Sequence, residues 1–142
     1  MGTKLLETKD KVQRLLTDLL NNVQIDKEGR FHFRHESSHV FVRVREWNEN
    51  TLVDVFAPTN FEVPASPELF KYLALNGDSY IFGHFSAVES EKGVNIIFTH
   101  TLLGDTLDPD ELKWAVFGVA GTADKVDDEI RGKFGGTLFH DK

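Results

Sequence analysis

The stretch HTLLGDTLDPDEL, residues 100–112, brings one histidine and four carboxylates together within thirteen residues. Such side chains bind divalent metals and act as general acids and bases, so the stretch is the first candidate for a reaction centre. The same residues also fit a helix start, because Asp108 is a good N-cap, Pro109 suits the first helical position and Glu111 can complete a capping box. Asp105 follows a glycine, as in a tight turn. The spacing therefore predicts a joint between a strand and a helix.

The six histidines of the chain do not form a recognised metal-binding motif; they are His32, His35, His39, His84, His100 and His140. No HxxxH pair falls on a predicted helix, and no carboxylate stands at a recognised ligand spacing. His84 and His100 can meet across neighbouring strands, with Asp105 near the same end of the sheet. This group leaves a small-molecule- or metal-binding regulatory module open as the alternative function.

Other kinds of catalysis lack support in the sequence. No GxSxG motif occurs, and the serines lie in turn, cap or strand contexts. No GxGxxG or Walker pattern is present to bind phosphate, and the chain contains no cysteine. The sequence therefore predicts a protein that is not an enzyme, with no catalytic residue, no cofactor and no metal.

Composition limits the partners and the location that we expect. A net charge of −7 over 142 residues argues against binding to nucleic acid or to an anionic membrane, because both attract basic surfaces. The early charges in MGTKLLETKD do not fit a secretory signal, and no apolar run approaches the roughly 18 residues of a membrane span. We expect a cytoplasmic protein with a single domain over 1–142, an ordered core of about 4–136 and a short C-terminal tail.

The hydrophobic pattern predicts an α+β domain in the order α-βββ-α-ββ-α, with helices packed on a largely antiparallel sheet. A 3.6-residue period marks the helices and a two-residue alternation marks the strands. The sequence NEN at 48–50 predicts a hairpin loop. The predicted helices cover 5–23, a short segment that begins at Pro67, and 109–134; the predicted strands cover 30–35, 39–47, 51–57, 80–88 and 94–103.

The last helix carries large apolar residues on two sides. Its core stripe consists of Leu112, Val116, Val119, Ala123, Val126 and Ile130. On the opposite side lie Trp114, Phe117 and Gly121, with Gly118 beside them, and two interpretations stay open for this face. Another element of the same domain, such as the N-terminal helix, covers it, or it is a homodimer or client-binding patch where the glycines allow close approach.

The first hairpin concentrates positive charge in an acidic chain. Residues 27–47 carry a net charge of +2, so the remaining residues carry −9. The face is either solvated, with arginines paired to nearby glutamates, or a docking face for an acidic, extended segment of a partner. If the outward sides of the two strands coincide, the docking residues are Arg30, Arg34, Phe41, Arg43, Arg45 and Trp47, accompanied by His32 and His39.

Four stretches carry a resemblance to a known family: TLVDVFAP, ASPELFKYLA, YIFGHFS and HTLLGDTLDPDELKWAVFGVAGTADKVDDEI. They resemble the YbjN-like proteins of actinobacteria, which are grouped by fold with the class I type III secretion chaperones. The likeness runs from about the first strand to Gly136. It implies a small acidic cytoplasmic protein without a cofactor, often dimeric, that holds an extended peptide segment of another protein.

Taken together, the residues and the resemblance predict a non-enzymatic chaperone-like or adaptor protein. We expect its partners to be a protein or peptide client and a second copy of the chain, and we expect neither nucleic acid nor membrane as a partner.

Overall fold

The computed structural model describes residues 2–139, which form one antiparallel sheet with helices against one of its faces. The α+β class and the order α-βββ-α-ββ-α are confirmed for the long elements. Two short strands, β1 and β7, add to that order. The elements are α1 Thr3–Leu19, β1 Gln24–Ile25, β2 Phe31–His35, β3 Ser38–Trp47, β4 Asn50–Val63, α2 Pro67–Leu75, β5 His84–Ser90, β6 Gly93–Leu103, α3 Pro109–Phe134 and β7 Thr137–Leu138.

The strands lie in the order β1-β2-β3-β4-β6-β5, and every neighbouring pair is antiparallel. Strand β7 pairs with Asn60 and Phe61 of β4, beyond the point where β3 begins. Strand β5, the last in this order, forms one edge of the sheet.

Alternation along each strand separates two faces of the sheet. The inner face carries the apolar residues that α1 and α3 cover, among them Phe33, Val42, Val55 and Phe98. A second group of buried residues lies where α2 meets the sheet and the end of α3. The opposite face, which we call the open face, carries His32, His39, Phe41, Arg43, Arg45, Leu52, Asp54, Phe56, Ile97, Thr99 and Thr101.

The predicted joint at the start of α3 is confirmed. The Asp108 side chain accepts a hydrogen bond from the Glu111 backbone N–H at 2.8 Å, and the Glu111 carboxylate accepts from the Asp108 N–H at 3.1 Å. Pro109 takes the first helical position, and the helix runs to Phe134 as the sequence indicated. The acidic cluster thus satisfies N–H groups that the first turn of a helix leaves unpaired.

The third predicted strand is longer than its apolar run, and the expected tail is partly a strand. Strand β4 continues past 57 to Val63, with a register shift next to Pro58, where a missing N–H is tolerated. The ordered core was expected to end at 136, but Gly135 and Gly136 turn the chain back at positive φ and β7 joins β4. Leu138 is buried there, which explains why this short segment returns to the sheet. His140 lies outside the described residues.

Three further boundaries differ from the prediction. Strand β5 begins at His84 rather than at 80, because residues 80–83 bend instead of extending, with Gly83 at a positive φ of 113°. Helix α1 ends at Leu19, four residues before the predicted end, because Leu20 turns to an extended conformation. The side chain of Asn22 then donates to the carbonyl of Arg34 and guides the chain to the sheet edge. The β3–β4 loop is shorter than NEN, because Asn50 already pairs with Trp47.

Candidate functional site

The two outward strand sides of the first hairpin coincide, as the docking hypothesis requires. His32 lies opposite Phe41, and Arg34 lies opposite His39, in the β2–β3 register. The Arg30 guanidinium carbon sits 5.0 Å from the centre of the Phe41 ring, a cation–π distance. The structure therefore places Arg30, Arg34, Phe41, Arg43, Arg45 and Trp47 along this one side of the sheet.

Aromatic rings form a continuous surface on the open face. Phe41 and Phe56 are cross-strand neighbours whose rings stack at 5.4 Å with 12° between their planes. His39 stacks on the other side of Phe41 at 5.0 Å, and Phe139 meets Phe41 edge-on at 6.2 Å. We call these residues, together with His32 and Phe61, the aromatic cluster. The sequence placed Phe41, His32 and His39 on the predicted docking face, whereas Phe56, Phe61 and Phe139 were not predicted to take part.

The two histidines of the aromatic cluster share a hydrogen bond. His32 Nδ1 lies 2.8 Å from His39 Nε2, so one ring donates and the other accepts. Burial lowers the pKa of His39, and electrostatic interactions with His32 and Arg34 lower it further. The His39 ring is therefore neutral at pH 7 and contributes to this surface as an uncharged aromatic group.

Asp54 holds the two arginines of β3 in place. Its Oδ2 accepts hydrogen bonds from Arg43 Nη2 at 2.8 Å and from Arg45 Nε at 2.6 Å. Its Oδ1 accepts from the Thr101 hydroxyl at 2.8 Å. Burial raises the pKa of the Asp54 carboxyl, but the hydrogen bonds from Arg45, Arg43 and Thr101 outweigh burial and hold the pKa below its ordinary value. The carboxylate is therefore ionised, and Arg43 and Arg45 are fixed side by side.

The role of Asp54 was missed by the sequence analysis, although a signal was present. Asp54 is the one charged residue in the apolar strand TLVDVFA. Alternation places it on the side opposite Val53 and Val55, and hence on the same face as the outward arginines. The glutamates expected to pair with these arginines are not their main partners; a buried aspartate on the neighbouring strand is.

The second side of α3 is partly covered and partly open. Phe117 is half-buried with its ring edge against His35, and a Cβ added at Gly118 would lie 2.9 Å from the Phe82 side chain. These contacts come from β2 and from the loop before β5, where the sequence had suggested the N-terminal helix. Trp114 remains 54% exposed, and Gly121 faces open space.

The group His84, His100 and Asp105 is not gathered into a ligand set. The Asp105 carboxylate accepts hydrogen bonds from the Thr51 N–H at 3.0 Å and from its hydroxyl at 2.6 Å. The ring of His100 packs on Phe82. Within residues 2–139 no group of three or more His, Cys, Asp or Glu side chains has an arrangement that could hold a metal ion.

A concavity of about 810 Å³ lies along α1 and away from the open face. It is open to solvent, and its lining includes charges of both signs from Asp10, Lys11, Arg14 and Asp18. In the described part of the chain, no helix is long and apolar enough to cross a membrane. The open face, by contrast, combines stacked aromatic rings with the paired arginines of β3.

Solved structures with a similar fold include three relatives of low sequence identity. YbjN from E. coli has a TM-score of 0.60 at 13% identity, covering 87% of this chain and 90% of YbjN. SycH, the Yersinia pestis type III secretion chaperone, solved with a stable fragment of YscM2, has a TM-score of 0.55 at 13% identity, covering 83% and 98%. A chain of the ExsC–ExsE complex has a TM-score of 0.60 at 17% identity, covering 90% and 96%. These likenesses show a shared fold.

A comparison with curated proteins finds no match. A comparison with protein families does: TY-Chap1, described as "T3SS (YopN, CesT) and YbjN peptide-binding chaperone 1", matches residues 7–142. The match spans nearly the whole chain, including the open face and all of α3. The predicted resemblance to YbjN-like and type III secretion chaperone-like proteins is thereby confirmed, and the chain belongs to this family of YbjN and type III secretion peptide-binding chaperones.

Proposed function

We propose that this protein is a non-enzymatic chaperone that binds an extended segment of another protein on its open face. The family is one of peptide-binding chaperones, and two proteins of similar fold were solved as complexes, SycH with a fragment of YscM2 and ExsC with ExsE. The observation that carries the choice of face is the aromatic cluster. Its stacked Phe41 and Phe56 rings are half-exposed on a sheet face that lies opposite the helices.

The physical basis of binding is the burial of aromatic surface. Half-exposed rings offer large apolar area with few rotatable bonds, so covering them with a partner costs little side-chain entropy. The strands beneath hold the rings in place, because Phe41 and Phe56 face each other across β3 and β4. An extended segment presents every second side chain to such a surface.

We expect the variant Phe56→Ser to bind client peptides at least about tenfold more weakly than the wild type, a loss of about 1.4 kcal/mol. Peptides are first selected on the wild type from a displayed random library of 16 residues, and synthetic copies are then measured by fluorescence anisotropy. Leu6→Ser is the matched control, because Leu6 is an exposed apolar residue on α1. Equal binding by both variants, or a library without enriched peptides, would remove the open face as the client site.

We also propose that the protein is a homodimer, joined through the side of the molecule that carries β5, the loop before it and Trp114. The outer edge of β5 is the end of the sheet, so its backbone groups can pair with a second copy. Ile81 is 89% exposed in the loop, and Val88 is exposed on β5. The neighbouring Phe82 lies against Gly118, one turn along α3 from Trp114. The exposed Trp114 thus extends the apolar side formed by the loop and β5.

Size-exclusion chromatography with light scattering tests the dimer. We expect the wild type to show twice the 16.1 kDa of one chain, and Trp114→Ala/Ile81→Ser to show a folded monomer by the same measurement and by circular dichroism. Leu6→Ser again serves as the control and should remain a dimer. A wild-type monomer at about 100 μM, where standard-sized interfaces are occupied, would overturn the proposal.

A further inference from the structure

We propose that Arg43, Asp54 and Arg45 form a receptor for a carboxylate side chain of the client, so that the protein selects acidic segments. This inference rests on the proposed function, because it names the chemistry of the segment that the open face takes. The occupant to which we commit is an extended peptide with acidic side chains beside an apolar one.

The two guanidinium groups are fixed before any partner arrives. Asp54 Oδ2 accepts from Arg43 Nε at 3.1 Å as well as from Nη2, and Asp54 Oδ1 accepts from Arg45 Nη2 at 3.3 Å. Only 4% of the Asp54 side chain is exposed, against 49% for Arg43 and 43% for Arg45. Asp54 is therefore out of reach of a client, while the arginines that it orients face solvent.

Donors remain available on both arginines. A guanidinium has five N–H groups, and Asp54 engages one on Nε and one on Nη2 of each side chain. The Nη1 groups of Arg43 and Arg45 have no hydrogen-bond partner within residues 2–139. Paired N–H groups of this kind match the two oxygens of a carboxylate, and charge makes such hydrogen bonds about twice as strong as neutral ones.

The charge balance of the cluster favours an anion. Two guanidinium groups share one carboxylate, which leaves a local charge of +1 on a protein whose net charge is −7. Acidic segments are repelled by most of the surface and attracted here, so the field steers them to the open face. Nucleic acid is disfavoured, because its affinity depends on neutralising many phosphates, and this cluster offers one net positive charge.

The spacing of side chains along β3 predicts the sequence pattern of the client segment. Phe41, Arg43 and Arg45 are alternate residues of one strand, so their side chains stand about 6.6 Å apart on one face. An extended peptide lying along β3 has the same spacing between alternate side chains. In the bound peptide, an apolar residue lies over Phe41 and Phe56. The acidic residues stand two and four positions after it in the peptide, opposite Arg43 and Arg45.

Three fluorescein-labelled 12-residue peptides test the inference by anisotropy. They share the pattern Phe-Ser-X-Ser-X-Ser, repeated twice, in which X is Asp, Asn or Lys in the three versions, so that X stands two and four positions after each Phe. At 50 mM salt we expect the Asp peptide to bind at least about tenfold more tightly than the Asn peptide, and the Lys peptide to bind most weakly. High salt should reduce this preference.

Single arginine variants show whether the cluster causes the preference. Arg43→Gln leaves Arg45 on Asp54, and Arg45→Gln leaves Arg43, so each keeps the buried carboxylate paired. Each should lower affinity for the Asp peptide about fivefold to tenfold and leave the Asn peptide unchanged. If a Gln variant fails to fold, the corresponding Lys variant keeps the charge, loses the planar fork and should bind the Asp peptide with intermediate affinity. Arg14→Gln, on α1, is the charge-matched control.

The outcomes separate this inference from the proposed function. Equal binding of the Asp and Asn peptides, both weakened by Phe56→Ser, would overturn the carboxylate receptor and keep the peptide-binding face. Binding of neither peptide would also overturn the receptor, and the library selection would then decide the proposed function independently. Binding of a 12-nucleotide single-stranded DNA as tight as that of the Asp peptide would overturn the choice of a peptide carboxylate as ligand.

Discussion

Replacing both Arg43 and Arg45 by methionine is expected to lower the free energy of unfolding at pH 7 by about 3 kcal/mol, because it leaves a buried carboxylate without a positive partner. Asp54 keeps one hydrogen bond, from Thr101, once the guanidinium groups are gone. Urea unfolding followed by circular dichroism at 25 °C measures the change. An exposed ion pair would contribute less than about 1 kcal/mol, so the size of the effect reports the burial of Asp54.

The pH dependence of the double variant should be opposite to that of the wild type. In the wild type the pKa of Asp54 is held low, so its stabilising contribution is present above about pH 4 and is lost as pH falls through the lowered pKa. In the double variant, burial acts without the arginines and raises the pKa of Asp54. Its carboxyl then takes up a proton on folding, and the stability deficit should shrink as pH falls from 7 towards 4.

A triple variant provides the control for this prediction. Arg43→Met/Arg45→Met/Asp54→Leu removes all three charges, so no ion is left buried, and most of the lost stability should return. Its stability deficit relative to the wild type should also stay nearly constant between pH 7 and pH 4, because the triple variant has no carboxyl group at position 54 to take up a proton. If the double and triple variants are equally stable at pH 7, the carboxylate is not the cause of the destabilisation.

The outline of the fold and both boundaries of its last helix could be predicted, because local chemistry determines them. The apolar stripe of α3 has a 3.6-residue period, and its six predicted core residues are all buried. The capping box at Asp108 and Glu111 marks the start of α3 within the sequence itself. Such features depend on residues three or four apart, so a single sequence is enough to locate them.

The candidate site depends on strand register, which the sequence did not determine. Treating NEN as a three-residue loop would pair Trp47 with Thr51 and Arg43 with Val55, on incompatible faces. The observed two-residue turn, with Asn48 at a positive φ of 54°, pairs Trp47 with Asn50 and so brings Arg43 opposite Asp54. A shift of one residue moves every side chain of a strand to the other face. The turn between β3 and β4 therefore determines whether Arg43, Asp54 and Arg45 lie together.

Long-range returns of the chain were also beyond prediction. Thr137 pairs with Phe61 of β4, which lies 76 residues earlier in the sequence. No local sequence pattern identifies a strand of only two residues. Phe82, in a loop, covers Gly118 on α3. The aromatic surface also forms only when the chain folds, since Phe56 lies in the third predicted strand and Phe139 in the predicted C-terminal tail.

We expect Phe98→Ala to lower the free energy of unfolding by about 4 kcal/mol, a loss typical of a fully buried phenylalanine. The Phe98 ring is 0% exposed on the inner face of β6 and meets Tyr80 at 5.2 Å and Phe85 at 5.4 Å, both edge-on. It also fills the space above Gly83, where a Cβ would approach the ring to 2.5 Å. Removing the ring therefore leaves a cavity beneath β5 and the loop before it. Chemical unfolding at pH 7 measures the loss.

Phe56→Ala is the matched control, because it removes the same side chain from the neighbouring strand but from the other face. Phe56 lies opposite Thr99, next to Phe98 in the register, and its half-exposed ring stacks on Phe41. We expect this change to lower the free energy of unfolding by about 1 kcal/mol, the value of an aromatic pair at a partly solvated site. Its larger effect should be on peptide binding, and the reverse should hold for a Phe98 variant that retains its fold. A large loss of stability from Phe56→Ala would instead make the aromatic cluster part of the core, because a binding face has to remain accessible while the protein is folded.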